Sequence, residues 1–236
     1  MRAPAGPSPA THFDAVLFDL DGTLVDSAPD IAHAAHAVRA ACGLAPLSEA
    51  RIRSFIGDGA PRLVARTLAD SHDPDIDEET FERGYAIFRQ AYLACLCDRT
   101  RPFPGTIDAL STLRGLGMRL AVVTNKPLEF TLPILDGLDL TRYFEVVLGG
   151  DSLPKKKPDP EPLLHAAARL RSAPARTLMV GDSRNDLLAA KAAGCPSVMV
   201  SYGYGFHEPR PEGCDPVLIA DSLVELAPLI DQRAHD

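Results

Sequence analysis

The chain predicts an α/β fold: a Rossmann-like parallel sheet with helices on both faces, plus an inserted all-helical cap domain. Three observations predict it. Short apolar runs recur with a helical stretch after each, the signature of strands joined by crossover helices. The runs are apolar throughout instead of alternating, as expected of strands buried on both faces. One long region between the first and second runs is helical in composition and contains no strand-like run, so it reads as an insertion with its own packing.

In chain order, residues 1–12 are rich in Pro and Ala and lack the apolar centre of a signal peptide, so they read as a flexible tail. The catalytic core is expected over 13–25 and 102–236. Its strands are expected at 15–19, 119–124, 146–148, 177–181 and 197–200, and its helices at 106–116, 129–135, 161–170 and 187–193. The cap is expected over 26–101, with helices at 29–42, 48–55, 60–70 and 78–97 broken by Gly43, Pro46, Gly57, Gly59 and Pro74. Its two links to the core, 25–28 and 98–105, are expected to lie together and act as a hinge, the second stiffened by Pro102 and Pro104.

Composition narrows the function. With 236 residues, 46% of them hydrophobic and 24% charged, the chain is an ordinary globular one. A net charge of -8 and a pI near 5.3 argue against nucleic acid, whose phosphates demand a basic surface. An anionic substrate would need a local positive site to draw it in. No apolar run approaches the ~20 residues of a membrane span. The five cysteines, Cys42, Cys95, Cys97, Cys195 and Cys214, show no C-x-x-C spacing, which fits a reduced, cytoplasmic protein without structural zinc. His33 and His36 share a helical face, but nothing nearby supplies further ligands, so they read as surface or packing residues.

The chemistry starts at Val16-Leu17-Phe18-Asp19-Leu20-Asp21-Gly22-Thr23-Leu24. A strand delivers two carboxylates, one residue apart, into a glycine turn. Carboxylates that close resist joint ionisation unless a cation sits between them, and Mg²⁺, which binds through carboxylates and substrate phosphate, suits that need. One Asp could attack phosphorus while the other passes a proton to the leaving oxygen. Three further segments follow: Val123-Thr124-Asn125, Lys155-Lys156-Lys157-Pro158-Asp159-Pro160, and Val180-Gly181-Asp182-Ser183-Arg184-Asn185-Asp186. Asp19, Thr124 and Asp182 all fall at or just past strand carboxyl ends, where ligands bind in parallel sheets.

This order of segments, with a helical insert after the first, resembles the haloacid dehalogenase superfamily of phosphohydrolases from Phe13 onward. The resemblance implies that Asp19 is the nucleophile and Asp21 the general acid and base. It implies that Thr124 bonds a phosphate oxygen with Asn125 nearby, and that Lys157 neutralises charge. Asp19, Asp21 and Asp182 would hold Mg²⁺. Asp186 would support, through water or by orienting Lys157, and backbone N–H groups around Leu20 and Asp21 would complete a phosphate clamp. Lys155 and Lys156 are read as solvated, and Thr23 as steadying the loop.

Retention of the acid at Asp21 argues against carbon dehalogenation, and the lack of membrane segments against the superfamily's transport ATPases. Finer features resemble its phosphoglycolate phosphatases: the run from Phe18 to Pro29, Ile56-Gly57-Asp58-Gly59-Ala60, Val123-Thr124-Asn125-Lys126-Pro127, and Tyr202-Gly203-Tyr204. That implies hydrolysis of a small phosphorylated acid, 2-phosphoglycolate, with Gly57, Asp58 and Gly59 contacting substrate. The exposed N–H groups of the following helix could receive a carboxylate, and Arg53, Arg62 or Arg66 could add a cation. A phosphatase for another small phosphorylated acid or sugar, such as N-acetylmuramic acid 6-phosphate, a sugar phosphomutase and a phospho-acceptor signalling domain remain as alternatives. A monomer or weak homodimer is expected.

Overall fold

A computed structural model describes residues 12–232. Apart from His12, the tail expected at 1–12 lies outside the described residues. The strands β1 (Ala15–Phe18), β4 (Arg119–Val123), β5 (Val146–Leu148), β6 (Thr177–Gly181), β7 (Ser197–Val200) and β8 (Leu218–Ala220) form a parallel sheet in the order β5-β4-β1-β6-β7-β8. The five expected core strands are present to within a residue. Strand β8 was not anticipated: its three residues lie at the sheet edge, and Ile219 is exposed, so the apolar-run signal of an interior strand is missing.

Side chains alternate across the sheet, and both faces are covered. Ala15, Leu17, Ala121, Val123 and Met179 pack with Leu163 and Ala166 of α7 (Glu161–Arg169) and with Ala189 and Ala190 of α8 (Arg184–Ala193). Val16, Phe18, Leu120, Val122 and Val180 face α5 (Thr106–Gly115), α6 (Leu128–Gly137) and α9 (Leu226–Gln232) through Leu110, Phe130, Ile134 and Leu226. Phe18 lies level with Val122 and with Val180. That register brings Asp19, Thr124 and Asp182 to the same carboxyl edge of three adjacent strands.

The insert consists of α1 (Ala28–Ala41), α2 (Glu49–Arg53), α3 (Ala60–Ala69) and α4 (Glu78–Leu93). Ser48 and Asp77 cap α2 and α4 by accepting from the N–H of Arg51 and Thr80. Helix α4 stops at Leu93, short of the expected residue 97. The two links pair as a short antiparallel ladder, β2 (Val25–Asp26) with β3 (Arg101–Pro102), too brief for a periodicity to register. Buried Asp30 fastens α1 to the returning link, accepting from Arg99 N–H, Thr100 N–H and Thr100 Oγ1. The apolar core runs on from sheet to insert: Tyr92 and Phe88 of α4 meet Phe130 of α6 edge-on, at 5.1 and 6.2 Å between ring centroids.

Candidate active site

Asp19 follows directly on β1, and its amide N–H donates to Val180 O, so the sheet fixes its position. The next turn needs Gly22: its φ is +83°, and a Cβ there would stand 2.5 Å from Asp182 Oδ2. Lys157 Nζ reaches in beneath, 2.9 Å from Asp19 Oδ1, 2.7 Å from Asp186 Oδ1 and 2.6 Å from Val123 O. All three of its protons are thereby used. Burial alone would lower the Lys157 pKa, but Asp186 and Asp19 outweigh it and hold the ammonium above its usual value.

Burial pushes the Asp19 carboxyl up to about 6 against the opposing pull of Lys157. Asp182 is raised further above the usual carboxylate range, by burial first and then by the charges of Asp19 and Asp186. Its Oδ2 accepts from Gly205 N–H at 3.0 Å, and Thr23 Oγ1 lies 3.5 Å from its Oδ1. Two carboxyls held protonated-prone by burial and mutual repulsion are a pair that a divalent cation would satisfy.

The converging acids are not the trio expected. Asp19, Asp182 and Asp186 bring carboxylate oxygens within 4.8 Å of one another, whereas the Asp21 carboxylate turns to another partner. Lys126 Nζ stands 2.8 Å from both of its oxygens, and Ser27 Oγ donates to it as well. The Asp21 carboxylate, expected among the metal ligands, is held here by a cation of the protein and stands outside that cluster. Asp186 is also committed, through Oδ1 to Lys157 and through Oδ2 to the N–H and Oγ of Ser183. That places it as the residue that orients Lys157. Asp19, Asp182 and Asp186 thus form a buried hard-oxygen cluster of a kind that fits Mg²⁺.

Thr124 Oγ1 accepts from Lys126 N–H at 3.2 Å, which leaves its own proton for a ligand oxygen. The N–H groups of Leu20 and Asp21 find no acceptor among the described residues. Asn125 Nδ2 donates to Lys157 O and to Gly57 O, at 2.9 and 3.0 Å, while its buried Oδ1 has no partner.

Above these groups lies a narrow cavity. Asp19, Asp21, Thr124, Asn125 and Lys126 form its floor, and Gly57, Gly59, Ile31, Leu63, Phe88 and Tyr92 of the insert form its roof. A water-sized sphere can be centred within about 30 Å³ there, against about 560 Å³ in a wider cleft on the Asp182 side. Of the three cap residues expected to contact substrate, Gly57 and Gly59 line the cavity. Asp58 does not: it lines the outer cleft, and its carboxylate is bound by Arg66 at 2.6 Å and Asn185 at 2.8 Å. None of the arginines considered points a free charge at the cavity. Arg53 stacks on Tyr204, Arg62 pairs with Asp73, and Arg66 holds Asp58.

Sequence reasoning passed over Lys126 as a functional group. It is 6% exposed, is paired to Asp21 and sits 4.9 Å from the centre of the Tyr92 ring. A lysine directly after a strand-end Thr-Asn, on the residues that form the floor, was the available signal. Lys156, read as solvated, is exposed and also donates to Asp58 O at 2.6 Å. Lys155 matches its expectation, exposed and paired only with Asp159.

Residues 13–194 match the family model for haloacid dehalogenase-like hydrolases. The chain belongs to that family. Among curated relatives of this hydrolase is a phosphoglycolate phosphatase of Chromobacterium violaceum, 45% identical over 93% of this chain and 97% of its own. Another, from Neisseria meningitidis, is 49% identical over 82% and 83%. A crystal structure of a predicted phosphoglycolate phosphatase from Haemophilus somnus superposes with a TM-score of 0.81 at 35% identity, covering 91% of this chain and 96% of that one. No helix among the described residues is long and apolar enough to cross a membrane.

Proposed function

We propose that this haloacid dehalogenase-like hydrolase is a phosphoglycolate phosphatase, splitting 2-phosphoglycolate into glycolate and inorganic phosphate. The observation that carries the reading is the cavity beside Asp19. It is small and apolar-walled, and its floor holds one buried cation, Lys126, which pairs with Asp21 and lines the space a substrate carboxylate would enter. The printed names of relatives at 45% and 49% identity point to the same substrate. The 26–101 insert acts as the cap over a core of 13–25 and 102–236, with the β2–β3 ladder at their junction.

In this reading Asp19 Oδ attacks phosphorus, the ester P–O bond breaks, and Asp21, acting as general acid, passes a proton to the glycolate oxygen. Water then gives a proton to Asp21 and its oxygen to phosphorus. The P–O bond to Asp19 breaks, which frees phosphate and restores both acids. Thr124 Oγ1 and the N–H groups of Leu20 and Asp21 cradle the non-bridging oxygens, and Lys157 balances their charge. Asp19 and Asp182 would hold Mg²⁺, whose contribution when bound is to neutralise the crowded carboxylate and phosphoryl charge. Lys126 binds the substrate carboxylate, and the aromatic roof excludes water. A monomer or weak homodimer is part of this reading, and the five free thiols suit the cytoplasm.

A panel of phosphate esters with and without Mg²⁺ tests this. The expected result is Mg²⁺-dependent release of phosphate with highest kcat/KM for 2-phosphoglycolate. Equal turnover of esters that lack a carboxylate would reject the substrate.

A further inference from the structure

Three of the four core loops that carry the site's functional groups send an adjacent residue to the same two cap residues. Thr124 is followed by Asn125, whose Nδ2 donates to Gly57 O at 3.0 Å. Lys157 is preceded by Lys156, whose Nζ donates to Asp58 O at 2.6 Å. Asp186 is preceded by Asn185, whose Nδ2 donates to Asp58 Oδ1 at 2.8 Å and to Gly57 O at 3.3 Å. Arg66 of the cap grips the other oxygen of Asp58 at 2.6 Å and fastens the loop to its own helices through Phe55 O and His72 O. The approach is close: Gly59 has φ +90°, and a Cβ there would stand 2.7 Å from Asn125 O.

From this we infer that Asp58 and Asn185 are positioning residues, forming a clasp that ties cap closure to the alignment of the Thr124, Lys157 and Asp186 loops. The clasp bonds cross between links of chain far apart in sequence and can form only when the cap is down. Opening the cap breaks all of them together. Closing it presses one loop against three, and the three hold the phosphate-binding hydroxyl, the buried ammonium and the carboxylate that orients it. The clasp also borders both the inner cavity and the outer cleft, since Gly57 lines each. Nothing in this arrangement touches the reacting atoms. Asp58 is held ionised below the usual carboxylate range, its burial outweighed by Asn185 and Arg66, which suits a permanent acceptor.

The inference rests on Asp19 and Lys157 being the reactive pair, and its test has an arm that needs no substrate. Asp58→Ala, Asn185→Ala and the double variant are compared with wild type by amide hydrogen exchange over 54–63 and over the two links, by thermal melting, and by kinetics. Expected are faster exchange in the loop and links with an unchanged melting transition. A loss in kcat of roughly 10- to 100-fold should accompany it, with KM moving far less. The double variant should be no worse than the poorer single one, because both lose one clasp. Asp58→Asn, which keeps an oxygen for Asn185, should recover part of kcat. Unchanged exchange, or single losses that multiply in the double variant, would overturn the clasp. Should wild type ignore 2-phosphoglycolate, the exchange arm still decides, and kinetics are read with whichever ester wild type does turn over; that outcome rejects the substrate and not the clasp.

Discussion

The floor and the roof of the site are built on different principles. On the core side both buried lysines have fixed partners before any ligand arrives: Lys157 serves Asp19 and Asp186, and Lys126 serves Asp21. These groups stand on strand ends in a sheet whose inner strands are wholly buried. On the cap side the surface that meets the cavity is apolar, and the cap's own arginines are spent on Asp26, Asp73 and Asp58. The contrast assigns chemistry to the core and the size and dryness of the pocket to the cap. It also places Lys126, the cation that lines the cavity, in the core.

The sharpest way to break that division is at its centre. Asp19→Asn should abolish turnover, by roughly 10⁴-fold or more, while circular dichroism and melting stay near wild type. Retained activity would mean another nucleophile. Next in size, Lys157→Met leaves Asp19 and Asp186 buried without their cation. A cost of about 3–5 kcal/mol is expected in urea unfolding, together with loss of activity; a neutral effect would show that the pair is not held by Lys157. Lys126→Met tests the floor's selective cation. It should lower kcat/KM for 2-phosphoglycolate by roughly 100-fold, the value of a charged hydrogen bond of about 2–3 kcal/mol, with a smaller loss on esters that lack a carboxylate.

A gentler test uses pH. Asp19 binds its proton near pH 6 when folded and near 3.8 when unfolded, so between those values the folded state binds more protons. Its contribution to metal-free stability therefore grows as pH falls through about 6 and is lost as pH rises through it. Mg²⁺ must displace those protons, so its affinity by calorimetry should fall as pH drops through the same range. An affinity flat from pH 7.5 to 5 would contradict the raised carboxyl. Smallest of all, Lys155→Ala should shift stability by less than about 0.5 kcal/mol, since its Asp159 pair is exposed.

What was legible in the sequence follows the same division. Strand ends are visible as the point where an apolar run stops, and Asp19, Thr124 and Asp182 could be placed from that alone. Which partner a side chain takes across a hundred residues leaves no local trace. Local sequence does not show that Lys126 pairs with Asp21, or that the α8 turn delivers Asp186 beside Asp19. The two-residue strands β2 and β3 and the edge strand β8 were too short or too exposed for periodicity to reveal. Asp58 was expected at substrate because it precedes a helix. The structure spends it on Arg66 and Asn185, a choice set by packing between cap and core.

The central claim, that Asp19 carries the phosphoryl group, is most directly tested by rapid acid quench of the enzyme with 2-phosphoglycolate labelled in its phosphate, followed by peptide mapping. The account predicts a transient label on the peptide containing Asp19, absent in Asp19→Asn. Turnover with no label on protein at any time, or label on a different residue, would contradict it.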